Sequence, residues 1–105
     1  MTDTAPKVTF EDIEASIASE FYFTAKDGVS GSTLGFSTGP RDLELITVCV
    51  LLLKNGHRIV GVNEGPVSAD NFDADYGKKL ARAKAIDSIW PLLGWSLREK
   101  LGNAN

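Results

Sequence analysis

Cysteine and histidine are almost absent from this chain: its 105 residues hold one of each, Cys49 and His57. A single thiol excludes an intrachain disulfide framework and fits a reducing, intracellular setting. One thiol and one imidazole are too few of the usual ligands for a zinc site. Neither sign of charge is in large excess, with 14 acidic against 11 basic residues and a net charge of −3. That balance speaks against a general nucleic-acid or anionic-membrane binder, because both attract clustered Lys and Arg. The longest apolar run is about half a membrane span. Met1-Thr2-Asp3-Thr4 has neither the basic region nor the apolar run of a signal peptide. The expectation is one soluble cytoplasmic domain over 1–105, with flexible tails at 1–8 and 102–105, able to bury roughly two thirds of its surface.

What the chain does have is a strong hairpin signal from Leu43 to Val62, two apolar β-branched runs flanking Asn55-Gly56. Asn-Gly suits a two-residue type I′ turn, in which both central residues need φ > 0. That turn would pair Lys54 with His57, Leu52 with Ile59, Leu51 with Val60 and Cys49 with Val62. Strand alternation then puts Leu52, Val50, Val48 and Ile59 on one face and Leu53, Leu51, Cys49, Val60 and Val62 on the other. Both faces are apolar, so the reading expects cover on both sides, from helices, further strands or a second copy of the chain.

Around the hairpin the pattern is helical. Thr9 reads as an N-cap with Asp12 at N3, and Val8 as a staple onto Ile13. Phe10, Ile13, Ile17 and Phe21 share a stripe of a helix running to about Glu20, while Phe21 to Thr24 fits either helix or strand. Lys26 to Asp42 is glycine-rich and reads as a surface loop. It lacks the Gly-Lys-Ser/Thr ending of a P-loop and leads through Pro40 into a strand, not into the helix N-terminus at which both common glycine motifs hold phosphate. Ser68, Asp70 and Asn71 are candidate caps for a long helix from Asn71 to Trp90. Phe72, Tyr76, Leu80, Ala83, Ile86 and Trp90 form its expected stripe, and Gly77 is expected to permit close approach to a strand, with Gly61 the candidate meeting point. Pro91 should break this helix, leaving a short amphipathic segment with Leu93, Leu97 and Leu101. The fold class is α+β: N-terminal helix, glycine-rich loop, antiparallel hairpin, and a C-terminal helix broken at Pro91.

Candidate chemistry is thin. Cys49 and His57 would point to opposite faces in this register, about 17 Å apart along the strands, too far for a nucleophile and base. Asn71, Asp73 and Asp75 alternate like a calcium loop, but the glycine comes one place late and Arg82 stands where a bidentate Glu is required. No catalytic residue, metal or cofactor is assigned, and an enzyme is not expected. Lys78, Lys79 and Arg82 form a basic cluster that, with Ser68 and the glycine loop, would suit an anionic ligand. Trp90, Leu93, Trp95 and Leu97 are the candidate interface, and a homo-oligomer, most simply a two-fold dimer, is expected on the hairpin or on residues 91–101.

Thr47-Val48-Cys49, Leu53-Lys54-Asn55-Gly56, Val60-Gly61, Asn71-Phe72-Asp73, Gly77-Lys78-Lys79, Ala81-Arg82, Ala85, Ile89-Trp90-Pro91-Leu92, Gly94-Trp95 and Leu97-Arg98 carry a resemblance to a family of small tailed-bacteriophage and prophage proteins, known by the gene numbers of two phages of enteric bacteria. It is firmest over 43–101. The chain departs from the pattern at Asn63-Glu64-Gly65-Pro66. The resemblance implies a phage origin and a host-cytoplasm setting, and no particular activity. The functional expectation is a non-enzymatic accessory protein that binds a host factor, in the manner of proteins that counter host defence. The alternative is an oligomer that sequesters a small anionic, nucleotide-like ligand.

Overall fold

A computed structural model describes residues 5–32 and 41–103. Residues 1–4, 33–40 and 104–105 lie outside the described residues, and with them the extreme tails and the middle of the expected glycine loop.

The hairpin is the centre of the sheet's construction. Strand β2 (Thr47–Leu53) turns into β3 (Arg58–Asn63). The connection is a three-residue loop, Lys54-Asn55-Gly56, not the expected two-residue turn. The Gly56 amide donates to the Leu53 carbonyl, and the Leu53 amide donates to the His57 carbonyl, each at 2.9 Å. Gly56 has a φ of +90°, as the last position of such a loop requires, and the Asn55 side chain accepts from the His57 amide at 2.9 Å. The longer loop slips the register by one residue. Leu51 pairs with Ile59, Val50 with Val60, Cys49 with Gly61 and Val48 with Val62. Because side chains alternate, a slip of one exchanges the faces of all of β3. Ile59 joins Cys49, Leu51 and Leu53 in the core, while Val60 and Val62 turn outward.

Helix α1 (Phe10–Ser16) begins with the expected capping box: Thr9 N–H donates to Asp12 Oδ2 at 2.8 Å and Asp12 N–H to Thr9 Oγ1 at 3.2 Å. It stops at Ser16, four residues short of the expected end, because Ile17 to Thr24 forms β1, antiparallel to β2, in a sheet of order β1-β2-β3. The aromatic, β-branched run finds a strand partner there, and tertiary pairing overrides a helical spacing shared by only four side chains. β1 carries a bulge. Ile17 lies opposite Leu53 but Ser19 lies opposite Leu52, so Ala18 is unpaired and the alternation shifts. Beyond it Glu20 and Tyr22 share the face of Leu51 and Cys49, and Phe21 and Phe23 share the face of Val50 and Val48.

The start of the expected glycine loop is helix α2 (Ala25–Ser32). Its cap repeats the chemistry of α1, with Thr24 N–H bonding Asp27 Oδ2 at 2.9 Å and Asp27 N–H bonding Thr24 Oγ1 at 3.1 Å. A 3₁₀ turn, Arg41–Leu45, leads into β2, and a second, Ala69–Asn71, precedes α3.

Helix α3 (Ala74–Asn103) has 30 residues, about 45 Å of helix. It starts three residues later than expected. Asp73 caps it, accepting from Tyr76 N–H at 3.1 Å. It runs unbroken through Pro91, past the expected break and into Gly102 and Asn103, where a tail was expected. Proline removes only its own donor. Ile89 before it is fully buried and Leu93 after it packs on the core, so both halves are held in line. The stripe seated on the sheet is Gly77, Ala81, Ala85 and Ile89, with Ile86 beside it; of the expected stripe Ile86 is buried, Leu80 is half-buried, Phe72 precedes the helix, and Tyr76, Ala83 and Trp90 are exposed. Small residues win because α3 crosses the sheet very closely. A Cβ at Gly61 would overlap the Ala81 carbonyl oxygen and lie 2.5 Å from the Ala85 nitrogen, and one at Gly77 would lie 2.8 Å from Thr47 Oγ1. The expected close approach is real, but Gly77 meets β2 at Thr47, and Gly61 meets Ala81 and Ala85.

Among the described residues the sheet is therefore covered on one side only. Ile13, Cys49, Leu51, Leu53, Ile59, Ala81, Ala85, Ile86 and Ile89 form the core between sheet and helices. The other face, for which cover by helices, further strands or a second copy was expected, is exposed in the single chain: Phe21 is 54% and Val60 57% exposed, with Phe23 and Val62 also exposed. Val48, Val50 and Leu52 lie half-buried between them.

Candidate functional site

The densest polar cluster sits where α1, β1 and α3 meet. Capping sets the position of Glu14 on α1, the β1 bulge brings Glu20 to the helix side, and Arg82 lies one residue beyond the buried Ala81 of α3, at the flank above β1. Arg82 donates to Glu14 through Nη1 at 2.9 Å and Nη2 at 2.7 Å, a two-pronged pair. Its Nε and Nη2 reach Glu20 at 3.2 and 3.4 Å. Tyr22 closes the cluster, its hydroxyl donating to Glu20 Oε1 at 2.6 Å. The Arg82 hydrogen bond holds the Glu14 carboxyl below its ordinary value. The bond from Tyr22, followed by Arg82, does the same for Glu20. Burial and the Glu20 bond push the Tyr22 hydroxyl up, so it stays a donor. Arg82 is stabilised as a cation by the two carboxylates. These are satisfied partners in a planar, charge-assisted arrangement that ties three elements together. The nucleophilic group beside it is the buried Cys49 thiol, which interacts with the Tyr22 hydroxyl.

Cys49 lies opposite Tyr22 in the strand pairing, fully buried, and burial pushes its thiol up, away from the reactive thiolate. His57 is exposed at the hairpin loop. The slipped register sets His57 opposite Leu53, so the two residues are not separated by opposite faces as expected. They remain about 13 Å apart along the sheet by strand rise, outside the reach of a dyad.

The basic residues expected to hold an anion are divided among different surroundings. Arg82 is engaged by its two carboxylates. Lys78 sets its ammonium 6.0 Å from the centre of the Tyr22 ring and borders a cleft with Phe23, Thr24, Asp27 and Phe72. Lys79 lines another cleft together with Arg82, Phe10, Ile86 and Trp90, so these two of the expected basic residues do border one cleft. Ser68 precedes the 3₁₀ turn at Ala69 and makes no side-chain cap bond. A cleft of about 450 Å³ runs between α2 and the 3₁₀ turn at 41–45. There Lys26 pairs with Glu44 at 2.8 Å and Arg41 approaches the same carboxylate at 3.6 Å.

The expected interface residues also part company. Leu93 and Leu97 turn toward α1 and line a groove with Val8, Ala15 and Ser16. Trp90 borders the cleft beside Phe10. Trp95 is 67% exposed and shares an outward helix face with Pro91 and Leu92, flanked by Arg98 and Glu99, all exposed. The surface that sequence reasoning missed is the open sheet face of Phe21, Phe23, Val60 and Val62. Its signal was present in Phe21-Tyr22-Phe23 as a period of two, masked by the helical spacing of Phe10, Ile13 and Ile17.

Among the described residues no helix is long and apolar enough to cross a membrane. The description of the phage protein (N4 Gp49/phage Sf6 gene 66) family matches residues 8–101. No curated protein matches the chain. No solved structure matches it.

Proposed function

We propose, since the chain belongs to the phage protein (N4 Gp49/phage Sf6 gene 66) family, that it is a non-enzymatic accessory protein acting in the host cytoplasm by binding a host protein, with a component of host defence as the target class. The observation that carries this reading is the apolar ridge of Pro91, Leu92 and Trp95 on the outer face of α3, with Trp95 67% exposed. An exposed tryptophan on a rigid helix, rimmed by Arg98 and Glu99, has the make-up of a protein-binding hot spot. The polar cluster at Arg82 satisfies itself and leaves nothing poised to attack a substrate. The same self-satisfaction weighs against the alternative, a sequestered anionic nucleotide held by Lys78, Lys79, Arg82 and Ser68.

The test is capture from host lysate by the parent protein and by Trp95→Ala, alongside mass spectrometry of small molecules released when the purified protein is denatured. A host protein retained in stoichiometric amount by the parent and lost with Trp95→Ala is the expected result. Release of a stoichiometric nucleotide, with no protein retained, would replace this reading by the alternative.

A further inference from the structure

The open face of the sheet is built as three rows. Ser19, Leu52 and Arg58 form the row nearest the hairpin loop, Phe21, Val50 and Val60 the middle row, and Phe23, Val48 and Val62 the far row. Seven of these nine side chains are apolar. Among these nine the only ionised group is Arg58, at one end, and none is a carboxylate although the chain is acidic overall. Its two most exposed apolar members, Phe21 and Val60, lie at opposite ends of the middle row.

We propose that a second copy of this chain packs on this face, sheet against sheet, about a two-fold axis running along the middle row. The inference is separate from the proposed host contact, which uses the opposite layer of the molecule.

Three features commit the face to a second copy. The first is area. Three strands about 4.8 Å apart, each presenting roughly 20 Å, make a face of about 300 Å² in plan. With side-chain relief, two such faces together remove on the order of 1,000 Å² from water, the size at which specific association begins. The second is charge. A face with no carboxylate lets two net-acidic chains meet without opposing acids, and the two-fold axis sends the Arg58 ends to opposite edges of the contact, so like charges never face each other. The third is shape. A largely apolar β-surface is complementary to its own copy in the way that the two layers of a β-sandwich are, with inner faces about 10 Å apart. The axis sets Phe21 against its own equivalent and Val60 against its own, a self-complementary contact that closes on itself. The result is a four-layer assembly, helix, sheet, sheet, helix, with both α3 helices outside.

The experiment is light scattering behind size exclusion on the intact chain at 5 to 100 micromolar (about the range of such interfaces), for the parent, Val60→Glu, Phe21→Ser and Trp95→Asp, with circular dichroism of each. The parent and Trp95→Asp should run at twice the chain mass of 11.3 kDa. Val60→Glu should run as the single chain with an unchanged spectrum, since position 60 is exposed in the lone subunit. Phe21→Ser, which adds no charge, should shift dissociation to at least tenfold higher concentration, and it carries the test if Val60→Glu does not fold. A parent that is monomeric across the range overturns the proposal. So does a dimer that both face variants leave intact, or one that Trp95→Asp alone dissolves, which would place the contact on α3.

Discussion

Replacing Gly61 with alanine puts a methyl group where α3 already lies. The added Cβ would overlap the Ala81 carbonyl oxygen and come within 2.5 Å of the Ala85 nitrogen and 2.9 Å of its Cβ. Two of those three neighbours are main-chain atoms of a helix, so no side-chain rotation relieves the clash, and α3 must lift from β3. Overpacking alone costs about 1–3 kcal/mol. Lifting also loosens the contacts of Ala81, Ala85 and Ile89, which are fully buried, so the expected cost is at the top of that range, about 3 kcal/mol. In a domain of this length that lowers Tm by roughly 12–24 °C. Urea and thermal unfolding followed by far-ultraviolet circular dichroism at fixed protein concentration measure it. Gly94→Ala is the control: its methyl meets nothing within 4 Å, and relief of a mid-helix glycine should add about 0.5–1 kcal/mol. Adding Ala85→Gly to Gly61→Ala removes one of the three contacts and leaves both main-chain ones, so it should recover less than about half the loss. A Gly61→Ala protein melting with the parent, or complete recovery in the double variant, would refute the close crossing of α3 over β3.

Leu51→Asp buries an unpaired carboxylate at the centre of the core, at a cost of about 5 kcal/mol or more; a soluble variant with a cooperative melt near the parent's would show Leu51 to be misplaced. Pro91→Ala restores a helical donor toward Asp87 and should stabilise by about 1–3 kcal/mol; a lower urea midpoint would count against an unbroken α3. Glu14 and Glu20 are held below the ordinary carboxylate value in the folded chain. Their contribution is therefore whole above the unfolded value of about 4.3 and is lost as pH falls through their lowered folded values. Both are partly exposed, so screening limits each to about 1 kcal/mol or less; Glu14→Gln should flatten the acid limb of the stability curve, and superimposable limbs would sink the argument. Cys49→Ala should lower stability by about 1 kcal/mol and His57→Gln by nothing measurable, with host-protein capture intact in both; loss of capture in a folded His57→Gln protein would reopen a functional role for the imidazole.

Features set by local chemistry were legible before the structure. The Thr9–Asp12 capping box, the hairpin, the buried Cys49 and the close approaches at Gly61 and Gly77 each follow from a few adjacent residues or from one side chain that is missing. Features set by counting across a partner were not. Asn55-Gly56 is compatible with a two-residue or a three-residue loop, and the difference exchanges the faces of Ile59 and Val60. β1 was hidden because its pairing with β2 is a long-range decision that local periodicity cannot see. The Thr24–Asp27 cap of α2 has the same spacing as Thr9–Asp12, and that spacing was a readable sign of a helix inside the glycine-rich stretch. The basic residues of α3 were grouped by sequence proximity, whereas Arg82 answers to Glu14 and Glu20, 68 and 62 positions away.

The unpaired Ala18 acts as a frame shift written into three dimensions. Everything after it in β1 has the opposite orientation from what an unbroken ladder would impose, so one inserted position decides which alternating set, Glu20 with Tyr22 or Phe21 with Phe23, looks out. Substitution at residue 18 should therefore be mild, and so should its deletion, which would leave Ile17 and Ser19 as neighbours opposite Leu53 and Leu52, the partners they have now. The severe change is a residue added between Ser19 and Glu20: with Ile17 and Ser19 held opposite Leu53 and Leu52, it would send Phe21 and Phe23 toward Arg82 and Glu20 toward the outside, turning a greasy exterior into a charged one without altering the identity of any original residue. The character of that surface is governed by how many residues precede it, a form of information that length variation can rewrite and point mutation cannot.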